Sequence, residues 1–166
     1  MEYKDFREDD VFSMIGRTAI WNGRESDVAL SLGDDRGKRE QVLRYIEAIN
    51  EQLGWIADNK PLIADMLVKS GMLTLAEDWI SGAQELEEGE GKTFVMEDGQ
   101  QVTLPLSESE FSKNLRLDSV TIDLTGGREN QSAELFLSCD PDYFAGHSIL
   151  LGLEHDGTMR CRGLAG

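Results

Sequence analysis

Apolar residues at alternate positions in the C-terminal half constrain the fold more than any other feature. Residues 133–137 and 149–153 each carry apolar residues at three alternate positions. This period of two is typical of half-buried β-strands. Turn signals lie at 126–127, 140–142 and 155–157. Because consecutive strands joined by short turns pair antiparallel, we predict four strands in a β-meander.

The predicted meander extends over residues 93–164, beyond those four strands. At its start, Asp98-Gly99 lies between two short β-rich segments and predicts a hairpin. Ser107 stands three residues before Glu110, the spacing of a capping box, and predicts a brief helical turn.

A second hairpin is predicted at the other end of the chain, over residues 11–32. Asn22-Gly23 is a strong hairpin signal because both residues tolerate positive φ. Residues 11–21 are rich in strand-forming residues, and apolar residues alternate over 28–32. This hairpin could extend the same sheet.

The segment 36–83 is predicted to be helical. Val42, Tyr45, Ile46 and Ile49 recur at helical spacing. Pro61 suits the first turn of a second helix, which can end at Gly71, and a third helix is expected to end near Gly82. Helical positions also hold two tryptophans, and we interpret them as core residues or wedges between helices: Trp55 and Trp79.

These segments together predict one α+β domain over residues 1–166. An antiparallel sheet of about six strands would carry two or three helices on one face. The length of 166 residues suits a single domain, and 40% apolar residues are enough for a core.

The net charge of −16 excludes several function classes. An acidic chain repels nucleic-acid phosphates and anionic membranes, so we expect neither as a direct partner. No apolar run approaches the length of a membrane span, and the N-terminus does not resemble a signal peptide. We therefore expect a soluble, cytoplasmic protein.

The acidic loop predicted at 84–92 is the most unusual segment. It holds four glutamates beside two glycines, a composition that favours an exposed loop. Residues 84–114 carry eight acidic and two basic residues. The loop is either a solvated surface or a docking surface for a basic partner.

Known catalytic and metal-binding motifs are missing from the sequence. The two histidines, His147 and His155, form no local ligand pair, and no metal site or cofactor is predicted. Cys139 and Cys161 fall on apolar strands and are expected to be buried thiols. No nucleophile elbow or phosphate-binding loop occurs. We expect the His147 ring to bond a backbone carbonyl at the entrance of its strand.

A family resemblance covers residues 110–166. It rests on Glu110-Phe111, on residues 117–122, on Phe144-x-Gly-His-Ser-Ile149, on Asp156-Gly157 and on the final Leu164-Ala165-Gly166. In these residues the chain resembles a family of small bacterial domains of unknown function. That family is similar to immunity proteins of contact-dependent growth inhibition and other polymorphic toxin systems. The resemblance implies no catalytic residues.

Charge and resemblance together predict an immunity protein that binds and neutralises a cognate toxin domain, with a nuclease as the expected toxin. An acidic surface can occupy a basic groove and accelerate encounter. Two alternatives stay open: an adaptor for a basic host protein, and an enzyme with an acidic cleft. The residues predicted to contact the partner are Glu85, Glu87, Glu88, Glu90, Asp140, Asp142 and Tyr143.

Overall fold

The computed structural model describes residues 1–33, 37–86, 92–127 and 130–166. A short 3-10 helix, Tyr3–Asp5, precedes the first strand. The strands are β1 (Phe6–Glu8), β2 (Met14–Trp21), β3 (Arg24–Ser31), β4 (Gln84–Leu86), β5 (Lys92–Val95), β6 (Gln101–Leu104), β7 (Leu115–Asp123), β8 (Ser132–Cys139), β9 (Ser148–Leu153) and β10 (Met159–Ala165). The helices are α1 (Lys38–Asp58), α2 (Lys60–Lys69), α3 (Met72–Ser81) and α4 (Glu108–Asn114).

The main sheet has seven strands in the order β1-β2-β3-β7-β8-β9-β10. All neighbours pair antiparallel except β3 and β7, which run parallel from Asp27–Ser119 to Ser31–Asp123. The predicted α+β class is confirmed, but the main sheet has seven strands instead of about six and is mixed instead of antiparallel. A parallel pair needs a long crossover connection, and here residues 32–114 provide it.

The predicted N-terminal hairpin is present and forms one side of this sheet. β2 and β3 flank Asn22 and Gly23, whose φ angles are 53° and 70°. β1 was not predicted, because three residues are too short for a periodic pattern. Its Phe6 nevertheless enters the core.

Three helices occupy most of the segment predicted to be helical. Pro61 lies in the first turn of α2, where its missing N–H removes no helical hydrogen bond. Gly71 has a φ of 87° and separates α2 from α3. The left-handed conformation that this junction requires costs glycine little.

A second sheet, β4-β5-β6, corrects two predictions. The hairpin around Asp98-Gly99 exists as β5–β6, but it belongs to this small sheet and not to a meander with β7–β10. Gln84–Leu86, predicted as the start of an acidic loop, form β4 and pair with β5. Phe94 and Val102 connect the small sheet to the common core.

The predicted capping box begins α4. Ser107 Oγ accepts a hydrogen bond from the Glu110 backbone N–H at 3.2 Å, and Glu110 Oε2 accepts one from the Ser107 N–H at 3.0 Å. The bonds from the Ser107 side chain and backbone lower the pKa of the Glu110 carboxyl. α4 therefore starts at a fixed point and leads directly into β7.

The core lies on one side of the main sheet. Alternate residues of β7, β8 and β9 are buried and pack with the apolar residues of the helices. Cys139 belongs to this core, and burial raises the pKa of its thiol to about 12, so it stays protonated. Among the described residues, no helix is long and apolar enough to cross a membrane.

Candidate partner-binding groove

A groove of about 690 Å³ lies where the end of α3, the small sheet and the β8–β9 loop meet. We call it the acidic groove. From α3 and β4 it is lined by Asp78, Trp79, Gly82, Ala83 and Gln84. From β5, its turn and the β8–β9 loop it is lined by Val95, Met96, Glu97, Asp142, Tyr143 and Ala145.

The Asp142 carboxylate shapes the wall formed by the β8–β9 loop. Its Oδ1 accepts from the Phe144 N–H at 3.0 Å and its Oδ2 from the Gly146 N–H at 2.6 Å. These bonds span Ala145, whose φ of 50° is unusual for a residue with a side chain. The loop is thus held in a left-handed turn at Ala145, which is exposed and lines the groove.

Trp79 forms an apolar part of the groove lining. Its ring centroid lies 5.2 Å from that of His147 and 6.1 Å from that of Phe144, both in edge-to-face geometry. Its exposed fraction is 36%. The prediction of Trp79 as a core residue or wedge therefore describes the part of the ring that packs on Phe144 and His147. The exposed part of the ring is available to a partner.

His147 takes the structural part expected of it. Its Nδ1 lies 2.9 Å from the Phe144 carbonyl oxygen, at the entrance of β9. Since a carbonyl oxygen only accepts, Nδ1 is the donor. The ring thereby joins the loop to Trp79 and needs no ligand to explain its position.

Tyr143 supports the loop from beneath. It is 1% exposed, and its hydroxyl accepts a hydrogen bond from Asn114 Nδ2 at 2.6 Å. Burial raises the pKa of Tyr143 above its ordinary value. The side chain fixes the loop to the end of α4 and presents little surface to a partner.

The β5–β6 turn is bonded to the β8–β9 loop through carboxylates. Gln100 Nε2 donates to Asp98 Oδ2 at 3.0 Å and to Asp140 Oδ1 at 2.9 Å. Arg116 donates to the other Asp140 oxygen at 2.9 Å, and the Asp142 N–H donates to Asp98 Oδ2 at 3.1 Å. This network joins the small sheet to the main one.

Hydrogen bonding keeps these carboxyls ionised. Bonds from Gln100, followed by Arg116, lower the pKa of Asp140. Burial acts to raise the pKa of Asp98, but bonds from the Gln100 and Asp142 amides outweigh it and leave the pKa lowered. Both groups therefore carry negative charge at neutral pH.

The structure brings together part of the predicted partner surface. Glu85 is exposed on β4, next to Gln84 of the groove, and Asp142 lines the same groove. Asp140 lies half-buried behind it. The other three predicted glutamates lie outside the described residues: Glu87, Glu88 and Glu90.

The charge of the lining has one sign. Asp78, Glu97 and Asp142 contribute carboxylates, and the described lining includes no lysine or arginine. Sequence reasoning missed Asp78, Met96 and Glu97. The signal available was an acidic residue beside an aromatic one, Asp78-Trp79, but only the fold places that pair opposite the β5–β6 turn.

In the described part of the chain, no group of three or more His, Cys, Asp or Glu side chains is arranged to hold a metal ion. His147 precedes β9 and His155 follows it, so the two rings stand at opposite ends of one strand. The groove lining presents carboxylates and an aromatic surface.

Comparison with known proteins identifies the family. A model described as "Uncharacterized protein conserved in bacteria (DUF2262)" matches residues 4–164, and the chain belongs to that family. No curated protein matches the chain. No solved structure matches it either.

Proposed function

We propose that this protein is a binding protein whose acidic groove receives a basic segment of another protein. The observation that carries the proposal is the pairing of Trp79 with the carboxylates of Asp78, Glu97 and Asp142 in one groove. A lysine or arginine that enters such a groove meets charge at the rim and an aromatic surface inside, where cation–π contact adds to the attraction.

The charge of the whole chain supports a basic partner. A net charge of −16 attracts a basic protein over long range, and such attraction raises association rates to about 10⁸ M⁻¹s⁻¹ at low salt. Affinity would come from the central anchor, because rim charges mainly affect the association rate.

The two carboxyls that join the β5–β6 turn to the β8–β9 loop, beside the groove, are not suited to general acid catalysis. A general acid at neutral pH needs a raised pKa, whereas the pKa values of Asp98 and Asp140 are lowered. Their oxygens already accept bonds from Gln100, Arg116 and the loop backbone.

We further propose that the basic partner is a toxin domain that this protein neutralises. Support comes from the resemblance of residues 110–166 to a family of small bacterial domains that is similar to immunity proteins, and from the match between an acidic groove and a basic substrate site. An adaptor that binds a basic host protein is the second candidate, because the same charge would serve it.

The test uses the chain and the protein encoded beside it. The neighbouring protein's C-terminal domain is expressed with and without this chain, and growth is followed. Purified proteins are then mixed, and association rates are measured at two salt concentrations. We expect growth to be rescued and association to slow as salt rises.

Two variants locate the contact. Trp79→Ala should weaken binding by about tenfold or more through dissociation, and Asp78→Lys with Glu97→Lys should slow association. Glu40→Lys with Glu47→Lys on α1 changes the net charge by the same amount away from the groove and serves as the control. If the groove and control variants change association equally, the groove is not the binding site. If the neighbouring protein's C-terminal domain does not inhibit growth, the toxin role is wrong.

A further inference from the structure

A second cavity, of about 340 Å³, lies at the opposite end of strands β8 and β9. α1 forms one wall with Ala48, Gln52 and Trp55, and the β9–β10 turn forms the other with residues 153–157. Gln131, just before β8, closes the base. The cavity shares no residue with the acidic groove, so a ligand bound here would be independent of the proposed function.

Two glutamines at this base leave a donor and an acceptor uncommitted. Gln131 Nε2 donates to Gln52 Oε1 and, at 3.4 Å, to the Ala48 carbonyl. Gln131 Oε1 accepts no hydrogen bond from the described residues, and Gln52 Nε2 donates none to them. A carboxamide oxygen has two lone pairs and its NH₂ two donors, so each group can still bind a ligand.

Gln131 is a buried polar residue that lines the cavity. Gln131 is 5% exposed, and an unpaired polar atom at such a site is costly when nothing reaches it. Among the described residues, the one buried side-chain nitrogen or oxygen without a hydrogen-bond partner is Arg116 Nε. Gln131 Oε1 has no partner either, so this oxygen must keep some exposed surface. Since Gln131 lines the cavity, its oxygen can accept a hydrogen bond from a molecule inside it.

The walls suit a flat occupant that carries no phosphate. Trp55 is half-buried and lines the cavity, so part of its ring can contact a molecule inside it. Glu51, Glu154 and Asp156 also line the cavity. Hydrogen bonds from Thr158 lower the pKa of Asp156, so this carboxylate repels a phosphate.

We propose that this cavity binds a nucleobase or an unphosphorylated nucleoside. Its ring would stack on Trp55, and a lactam or amidine edge, which carries a donor beside an acceptor, would pair with Gln131 Oε1 and Gln52 Nε2. The volume falls within the range of small-molecule sites, and a mixed aromatic and amide lining is typical of them.

The experiment is ligand-observed NMR on the full chain with adenosine, guanosine, cytidine and uridine, each against its 5′-monophosphate. We expect at least one nucleoside to bind with a Kd at or below about 1 mM. Its monophosphate should bind roughly tenfold more weakly because of the carboxylates. Failure of all four nucleosides at about 1 mM, or equal binding of the monophosphate, would overturn the proposal.

Variants then locate the site. Gln131→Met keeps the length of the side chain but removes the amide, and Gln52→Met does the same on the more exposed partner. Each should weaken nucleoside binding roughly tenfold, while Trp79→Leu, in the other site, should leave it unchanged. Thermal unfolding shows that each variant is folded, and unaltered binding by both folded methionine variants would refute the assignment.

Discussion

The two ends of strands β8 and β9 carry different chemistry on the same backbone. At one end, around residues 140–147, carboxylates accept bonds from backbone amides and hold a loop over buried aromatic residues. At the other, around residues 153–157, two glutamines keep free hydrogen-bonding groups beside a tryptophan. A six-residue strand separates them by roughly 20 Å. A bonded frame suits a rigid docking surface, and uncommitted amides suit a small ligand.

The sharpest test of this contrast is Tyr143→Ala. The change empties a buried site and leaves Asn114 Nδ2 without its acceptor, so we expect unfolding to require about 3–5 kcal/mol less free energy. His155→Ala, at the exposed other end, should change stability by less than about 0.5 kcal/mol. Urea unfolding measures both. Similar effects would show that the two ends do not differ as described.

A smaller change tests whether α4 supports the groove end. Ser107→Ala removes the capping box, and we expect a loss of about 1 kcal/mol in urea unfolding. Because α4 carries Asn114, which bonds Tyr143, amide exchange should speed up in residues 143–146. Exchange in residues 153–157 is the internal control, and equal acceleration there would contradict a local link.

Ala145→Gly tests the strain in the β8–β9 loop. Glycine adopts a φ of 50° without steric cost, which outweighs its larger unfolded-state entropy, so we expect a gain of about 0.5 kcal/mol. The matched change Ala57→Gly, in the exposed part of α1, should cost about 0.5–1 kcal/mol instead. Thermal unfolding of the two variants in parallel decides the sign. A loss at both positions would show that Asp142 does not hold a strained turn.

The smallest effect concerns acid pH. The pKa values of Asp98 and Asp140 are lower folded than unfolded, so their contribution to stability is present above the ordinary carboxyl range and is lost as pH falls through the folded values. Their exposure limits its size. Asp140→Asn should make the melting temperature less dependent on pH between about 5 and 3. An unchanged pH profile would contradict the lowered pKa.

Local patterns predicted most elements of the fold. Asn22-Gly23, Pro61 and the Ser107–Glu110 pair each act within a few residues, and each leads to the expected turn or helix start. Sheet membership depends on distant contacts. Nothing near Asp27 indicates that it pairs with Ser119 in parallel, and nothing near Asp98 places its hairpin in a separate sheet.

The candidate sites follow the same division. Composition indicated an acidic surface, and Glu85 and Asp142 lie at or beside the groove. Tyr143 was predicted to contact the partner because it lies in an acidic turn. Its side chain is buried instead and bonds Asn114 of α4, which is distant in sequence. Gln131 and Gln52 carry no motif, and only the packing of α1 against the start of β8 brings them together.

The parallel pairing of β3 with β7 has a consequence for how the chain folds. Ser26 Oγ donates to the Leu117 carbonyl at 2.7 Å across 91 residues of sequence. The N-terminal hairpin therefore emerges from the ribosome long before its neighbour exists, with one edge unpaired. Contacts of such sequence separation slow folding, and an exposed edge invites aggregation. Closure of the central sheet must await synthesis of the helices and the small sheet between the two strands.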